Sequence, residues 1–192
     1  MRINRAIIVL GLVLYATTAF SAESDARKAD PELTRALRAA AQDTRSFHDP
    51  YLATVWLTDM SNRLRKRIPD PDYRIKLLTL VHREALRAEL PPELVLAVIE
   101  VESNFDQFAI SRAGARGLMQ VMPFWLKEIG KKGDNLFRMK TNLRYGCTIL
   151  KYYMKKEDGN LVRALGRYNG STGRWRYPGK IFNALDRRWY PN

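Results

Sequence analysis

The chain has 192 residues, 46% hydrophobic and 28% charged, which suits one globular domain with an appendage and excludes a disordered chain. Its formal net charge of +13 calls for an acidic partner, whether nucleic acid, anionic lipid or an acidic polymer. A single cysteine excludes an internal disulfide, and the two histidines, His48 and His82, are too far apart in sequence for a metal-ligand spacing.

The first residues narrow the choice of partner. "MRINR" is a basic start, "AIIVLGLVLYATTAF" an apolar run over residues 6–20, and Ala19 and Ser21 supply small residues for cleavage. This pattern predicts a signal peptide over residues 1–21 and a periplasmic or otherwise extracytoplasmic mature protein. The apolar run is shorter than the ~20 residues of a membrane span, so an uncleaved anchor is the lesser alternative. Export argues against nucleic acid and directs the positive charge to an envelope polymer or surface.

Helices are expected in series from there. Asp-Pro pairs at Asp30, Asp49 and Asp70 each precede a helix-period run, where aspartate accepts from orphan N–H groups and proline tolerates the first helical position. These runs are "PELTRALRAAAQ", "PYLATVWLTDMSNRLRKR" and "PDYRIKLLTLVHREALRAEL". His82 falls in the third, as a packed or half-exposed residue. A fourth helix begins near "PPELVLAVIEVES", and a short one spans about Pro123 to Glu128. "NLRYGCTILKYYMKK", "NLVRALGRY" and a last helix near "PGKIFNALDRRWY" complete the series. Cys147 shares a stripe with Leu143, Leu150 and Met154, which reads as a buried structural thiol. With no sustained alternation for a sizeable sheet, the expected fold is mainly α, with a small β-like tongue near residues 110–121.

The fourth helix carries two acids that its period separates. Val95, Ile99 and Glu102 share one stripe, and Leu94, Val98, Val101 and Phe105 form the next. Glu100 falls with Glu93 and Ala97 on a more polar side and reads as solvated. Glu102 ends an apolar face near the helix C-terminus, where desolvation and the helix dipole both disfavour its anion. Such a carboxyl can stay protonated near neutral pH and act as a general acid, although an exposed helix-end carboxylate is the commoner case. Asp106 reads as a turn or capping residue. The loop "SRAGARGLMQVMP" then places Gly114 and Gly117 where backbone can approach a ligand or another segment closely.

Taken together, "ESNF", "AISRAGARGLMQVMP", "NLRYG" and "RYNGS" resemble the catalytic core of the soluble lytic transglycosylases, peptidoglycan-cleaving enzymes with a fold similar to goose-type lysozyme. The resemblance implies a catalytic domain over residues 88–192, preceded by a helical N-terminal extension over residues 22–87. It implies Glu102 as catalytic acid, with Ser111, Met119, Gln120, Tyr168, Asn169 and Tyr177 as substrate-binding residues. Tyr168 and Tyr177 also have a plainer reading as aromatic core. Two departures from the family pattern, Arg167 for an alanine and "GS" at Gly170 and Ser171, bear on cleft charge and fit to peptide stems.

The implied reaction uses one acid and needs no metal or cofactor. Its product is a 1,6-anhydromuramic end, formed between N-acetylmuramic acid and N-acetylglucosamine without consuming water. A hydrolytic muramidase assisted by Asp106 or another acid, and a non-catalytic peptidoglycan-binding protein, are the alternatives. The expected partner is the peptidoglycan glycan strand, met by a monomer. The extension is expected to pack as helices on the catalytic domain, with docking to an envelope protein as its alternative role. "RLRKR", from Arg63 to Arg67, is a candidate patch for the acidic substrate or simply solvated surface.

Overall fold

A computed structural model describes residues 49–190; the expected signal peptide, His48 and the run "PELTRALRAAAQ" lie outside it. Helix α1 spans Pro50–Leu64 and α2 spans Pro71–Arg87. Both begin as the Asp-Pro pairs predict. Asp49 accepts from the Tyr51 N–H at 2.7 Å, and Asp70 accepts from Asp72 and Tyr73 at 2.9 and 3.2 Å. Helices α3 (Pro92–Ser103), α4 (Trp125–Ile129), α5 (Met139–Lys156), α6 (Leu161–Tyr168) and α7 (Arg176–Ala184) follow. A π-helical turn, Leu185–Trp189, continues α7. The tongue consists of two isolated antiparallel bridges, Ile110 with Arg116 and Arg116 with Val121. The mainly helical expectation and its small tongue therefore describe this structure.

Helix α3 is the core element that carries Glu102. Leu94 through Ile99 are all buried, because α2, α7 and the π-turn pack around the helix on several sides. That enclosure overturns the reading of Glu100 as solvated. Its side chain is 11% exposed and meets Arg67 at 3.1 Å and Arg188 at 2.9 Å, while Trp189 Nε1 donates to it at 2.9 Å. The carboxylate joins α3 to the α1–α2 linker and to the π-turn. Glu100→Gln is therefore expected to cost about 2 kcal/mol, since two cations lose their counter-charge. A thermal melt of the variant checks this.

The same ion pairs change the picture of the "RLRKR" patch. Arg63 pairs with Asp59 at 2.9 Å and donates to the Arg188 carbonyl, and Arg67 is held by Glu100. Only Arg65 and Lys66 remain as exposed cations of the four.

One hydrophobic cluster runs from Ala53 and Leu57 of α1 to Trp189 of the π-turn. Burial of about 25 cal/mol per Å² of apolar surface is its main stabilising term. Polar ties reinforce it: Trp56 Nε1 donates to Glu93 at 2.7 Å, and buried Glu84 of α2 bridges Arg87 (2.6 Å) and Arg144 of α5 (3.1 Å). Cys147 is fully buried, and its thiol is pushed up to about 12 by desolvation and the nearby Glu84 charge. His82 packs edge-on against Trp56 at 5.0 Å, and burial pushes it down to about 4, so it is neutral at physiological pH.

Candidate active site

Glu102 lies in the last turn of α3, and the chain leaves that helix under strain. Asn104 and Phe105 both adopt positive φ, 49° and 69°, an uncommon choice for a bulky residue. Burial of Phe105 against Trp189, with ring centroids 5.7 Å apart, holds the bend in place. The α3 terminus is thereby stopped directly after its carboxyl.

The tongue is fastened to that terminus. The Ser103 hydroxyl donates to the Leu118 carbonyl at 2.8 Å. Within the tongue, the Gly117 N–H donates to Ala109, and the Gln120 amide donates to the carbonyls of Ala109 and Gly117 at 3.2 and 3.0 Å. Ser111 closes the hairpin, its hydroxyl accepting from the Ala115 N–H at 3.1 Å. A buried bracket then holds the tongue to α5. Asn142 Oδ1 accepts from the Met119 N–H, and its Nδ2 donates to the carbonyls of Arg116 and Leu136, each at 2.8 Å.

Two glycines explain why these segments can touch. Gly117 has φ +73°, and a Cβ there would stand 2.5 Å from Asn142 Nδ2 and 2.6 Å from the Leu136 carbonyl. A Cβ on Gly146 of α5 would stand 2.3 Å from Met119 Sδ. The close approach expected of the glycine loop is therefore, in this structure, an approach to another segment of the chain. Gly117→Ala should destabilise the protein by about 3 kcal/mol, from strain and overpacking together. Denaturant unfolding measures it.

Tyr177 comes from the first turn of α7, and its hydroxyl donates to Glu102 at 2.6 Å. Burial and the adjacent carboxylate push the Tyr177 phenol well above its ordinary range, so it stays a donor. Glu102 is half-buried and pushed up to about 7 by desolvation, against the Tyr177 hydrogen bond and the Lys180 charge, which both favour the anion. A proton is therefore available on this carboxyl near neutral pH. The cleft beside it measures about 340 Å³ and is lined by Glu102, Asn169, Tyr177 and Ser171, with the cations Arg174 and Lys180 at its wall.

Of the residues singled out in the sequence, Glu102, Asn169 and Tyr177 meet in this cleft. Tyr168 stands behind it, its hydroxyl donating to the Met119 carbonyl at 2.7 Å. The Met119 side chain is buried in the core, and Ser111 and Gln120 hydrogen-bond within the tongue. Asp106 accepts from the Phe108 N–H at 2.8 Å, as a turn residue does, and is not among the lining of the cleft. Arg167 is committed to Glu157, so this departure adds no free charge at the site. Sequence reasoning missed Arg174, Arg176 and Lys180 as lining residues, and met Ser171 only as a departure from the family pattern bearing on the cleft. Only the spacing of Lys180, three residues after Tyr177 and four after Arg176, hinted at a shared face.

A larger cavity of about 490 Å³ opens between Arg87, Asp134 and Tyr145. Its acid is unsuited to proton donation, because hydrogen bonds from Tyr145 (2.5 Å) and the Lys131 N–H hold Asp134 below the usual carboxylate range. Among the described residues, the carboxyl poised for acid chemistry is Glu102.

The family model described as the Transglycosylase SLT domain matches residues 79–189. The membrane-bound lytic murein transglycosylase C of Yersinia pestis (strain Pestoides F) is 34% identical over 116 residues, 51% of this chain and 32% of that protein. Its namesake from Yersinia pseudotuberculosis serotype O:1b (strain IP 31758) matches to the same extent. The chain thus spans about a third of the length of these curated relatives. Among solved structures, the 70 kDa soluble lytic transglycosylase of Escherichia coli has a TM-score of 0.44 and 22% identity, covering 82% of this chain and 26% of that one. An inactive mutant of the lytic transglycosylase Slt from Pseudomonas aeruginosa has a TM-score of 0.46 and 19% identity, covering 82% and 34%.

Proposed function

This chain belongs to the Transglycosylase SLT domain family, and from that premise we propose that it is a peptidoglycan lytic transglycosylase with Glu102 as its catalytic residue. The observation that carries the reading is the half-buried Glu102 carboxyl, hydrogen-bonded by Tyr177, in a cleft that holds no second carboxylate among the described residues. Two-carboxylate glycosidases need a partner acid either about 5 Å or about 6.5–9.5 Å away. A lone acid suits a reaction in which one group serves twice.

In that reaction Glu102 first gives its proton to the oxygen linking N-acetylmuramic acid to N-acetylglucosamine, and the bond to the anomeric carbon breaks. The N-acetyl group of the muramic sugar stabilises the developing cation. Glu102, now ionised, takes the proton from the same sugar's 6-hydroxyl, whose oxygen closes onto the anomeric carbon. The acid is restored, no water is consumed, and the product ends in a 1,6-anhydro ring. The Tyr177 hydrogen bond steadies the carboxylate in the interval between the two transfers.

The proposal includes an extracytoplasmic place of work, consistent with the leader pattern of residues 1–21; among the described residues no helix is long and apolar enough to cross a membrane. Within the expected extension, α1 and α2 share the hydrophobic cluster with the catalytic helices, which supports a bracing role for residues 50–87. Peptidoglycan digestion across pH is the direct check. Activity that requires protonated Glu102 falls as pH rises through about 7, not above pH 4.5 as for an ordinary glutamate. Tyr177→Phe removes a bond that favours the anion, so the falling limb should move up by about one pH unit. A limb that stays in place would detach Tyr177 from the acid.

A further inference from the structure

Arg174, Arg176 and Lys180 stand exposed along one wall of the Glu102 cleft, and none has an ion-pair partner among the described residues. Several other arginines are engaged, Arg67, Arg87, Arg144, Arg167 and Arg188 each holding a glutamate. Arg65 and Lys66 are exposed like these three; what sets Arg174, Arg176 and Lys180 apart is their clustering at the Glu102 cleft. Arg176 and Lys180, four residues apart on α7, also line a second groove of about 660 Å³, whose walls include Trp175 and Asn183. The two cavities therefore meet at a basic ridge. Trp175 is 61% exposed yet fixed, its ring stacked on Phe182 at 5.7 Å and 13°. Gly179 makes room for it, since a Cβ there would fall 2.8 Å from Trp175 Nε1.

These cations are poorly placed to serve the acid itself. The charge of Lys180 favours ionised Glu102, opposing the protonated state from which a general acid starts. Their charge has a purpose if it is met by an anion in the bound state. We propose that the ridge of Arg174, Arg176 and Lys180 recognises the carboxylates of the peptide stems carried by the glycan, the stem crossing into the groove beside Trp175. This rests on glycan cleavage at Glu102 as read above. A docked carboxylate would offset the ridge charge and so leave the proton on Glu102 undisturbed.

Binding to the Glu102→Gln protein tests the inference with two muropeptide oligomers of equal glycan length, one with free stem carboxylates and one with those carboxylates amidated. Exposed ion pairs are individually weak, so three acting together should favour the free acid by about tenfold, ~1.4 kcal/mol. The preference should shrink as salt rises and fall to about one in R174Q/R176Q/K180Q. Equal affinity for the two oligomers, or a preference that survives the triple substitution, would overturn the assignment. Should the triple variant fold poorly, the single substitutions R174Q, R176Q and K180Q are read in its place: each is expected to lower the preference about twofold, and a preference unchanged in all three would overturn the assignment. Absence of product with the unsubstituted protein would strike at the proposed activity, while the affinity ratio would still decide the role of the ridge.

Discussion

Glu102→Gln is expected to lower peptidoglycan cleavage at least about a hundredfold while making the protein more stable above pH 7. The amide keeps the shape of the side chain and can still accept from Tyr177, but it carries no transferable proton. The stability gain follows from linkage. Folding raises the Glu102 pKa from 4.5 to about 7, so the folded state holds this proton more tightly than the unfolded chain. Its contribution is fully present below pH 4.5 and is lost as pH rises through about 7. The unsubstituted protein therefore gives up on the order of 3 kcal/mol across that window, which the glutamine variant does not. Melting curves of both proteins at pH 4 and pH 8 separate the two effects. A variant that is inactive and also destabilised at pH 8 would point to a damaged fold instead of a missing acid.

The second large effect is expected at a residue that touches no substrate. Asn142→Leu keeps the volume of the side chain but removes three hydrogen bonds to the tongue and its flank. The Met119 N–H and the Leu136 carbonyl are then left without that partner beside an apolar group, while the Arg116 carbonyl keeps the Val121 N–H. Unmet buried groups cost about 1–3 kcal/mol each, so a loss of about 3–5 kcal/mol is expected. Activity should fall as well, because the Met119 carbonyl that receives the Tyr168 hydroxyl belongs to the same loop. Near-normal unfolding together with normal cleavage would show that the bracket is dispensable.

Asn142 also illustrates how far the sequence could be read. It falls within "NLRYG", where a polar residue ahead of an apolar stripe reads as a helix start. In the structure α5 begins earlier, at Met139, and Asn142 faces inward as the bracket. Local pattern cannot distinguish these, because its partners at Arg116 and Met119 are more than twenty residues away. Glu100 shows the same limit. Its stripe looked polar, yet the π-turn some 85 residues later supplies Arg188 and Trp189 to cover it. Short-range features fared better: the Asp-Pro caps, the buried stripe through Cys147 and the tongue all depend on neighbours close in the chain. Glu102 was legible for a mixed reason. Its apolar stripe gave the desolvation, while Tyr177, 75 positions on, entered only through the family pattern. The basic ridge carried no motif and emerged only when α7 folded beside α3.

The mass of the ends that the protein creates in purified peptidoglycan is the most direct measure of the central claim. Mass spectrometry of the soluble digest should show muramic ends lighter by one water than hydrolytic ends, present with the unsubstituted protein and missing with Glu102→Gln. Ends that carry the full mass of water would mean hydrolysis, with a second group activating the water, and would contradict a lone Glu102 acting first as acid and then as base.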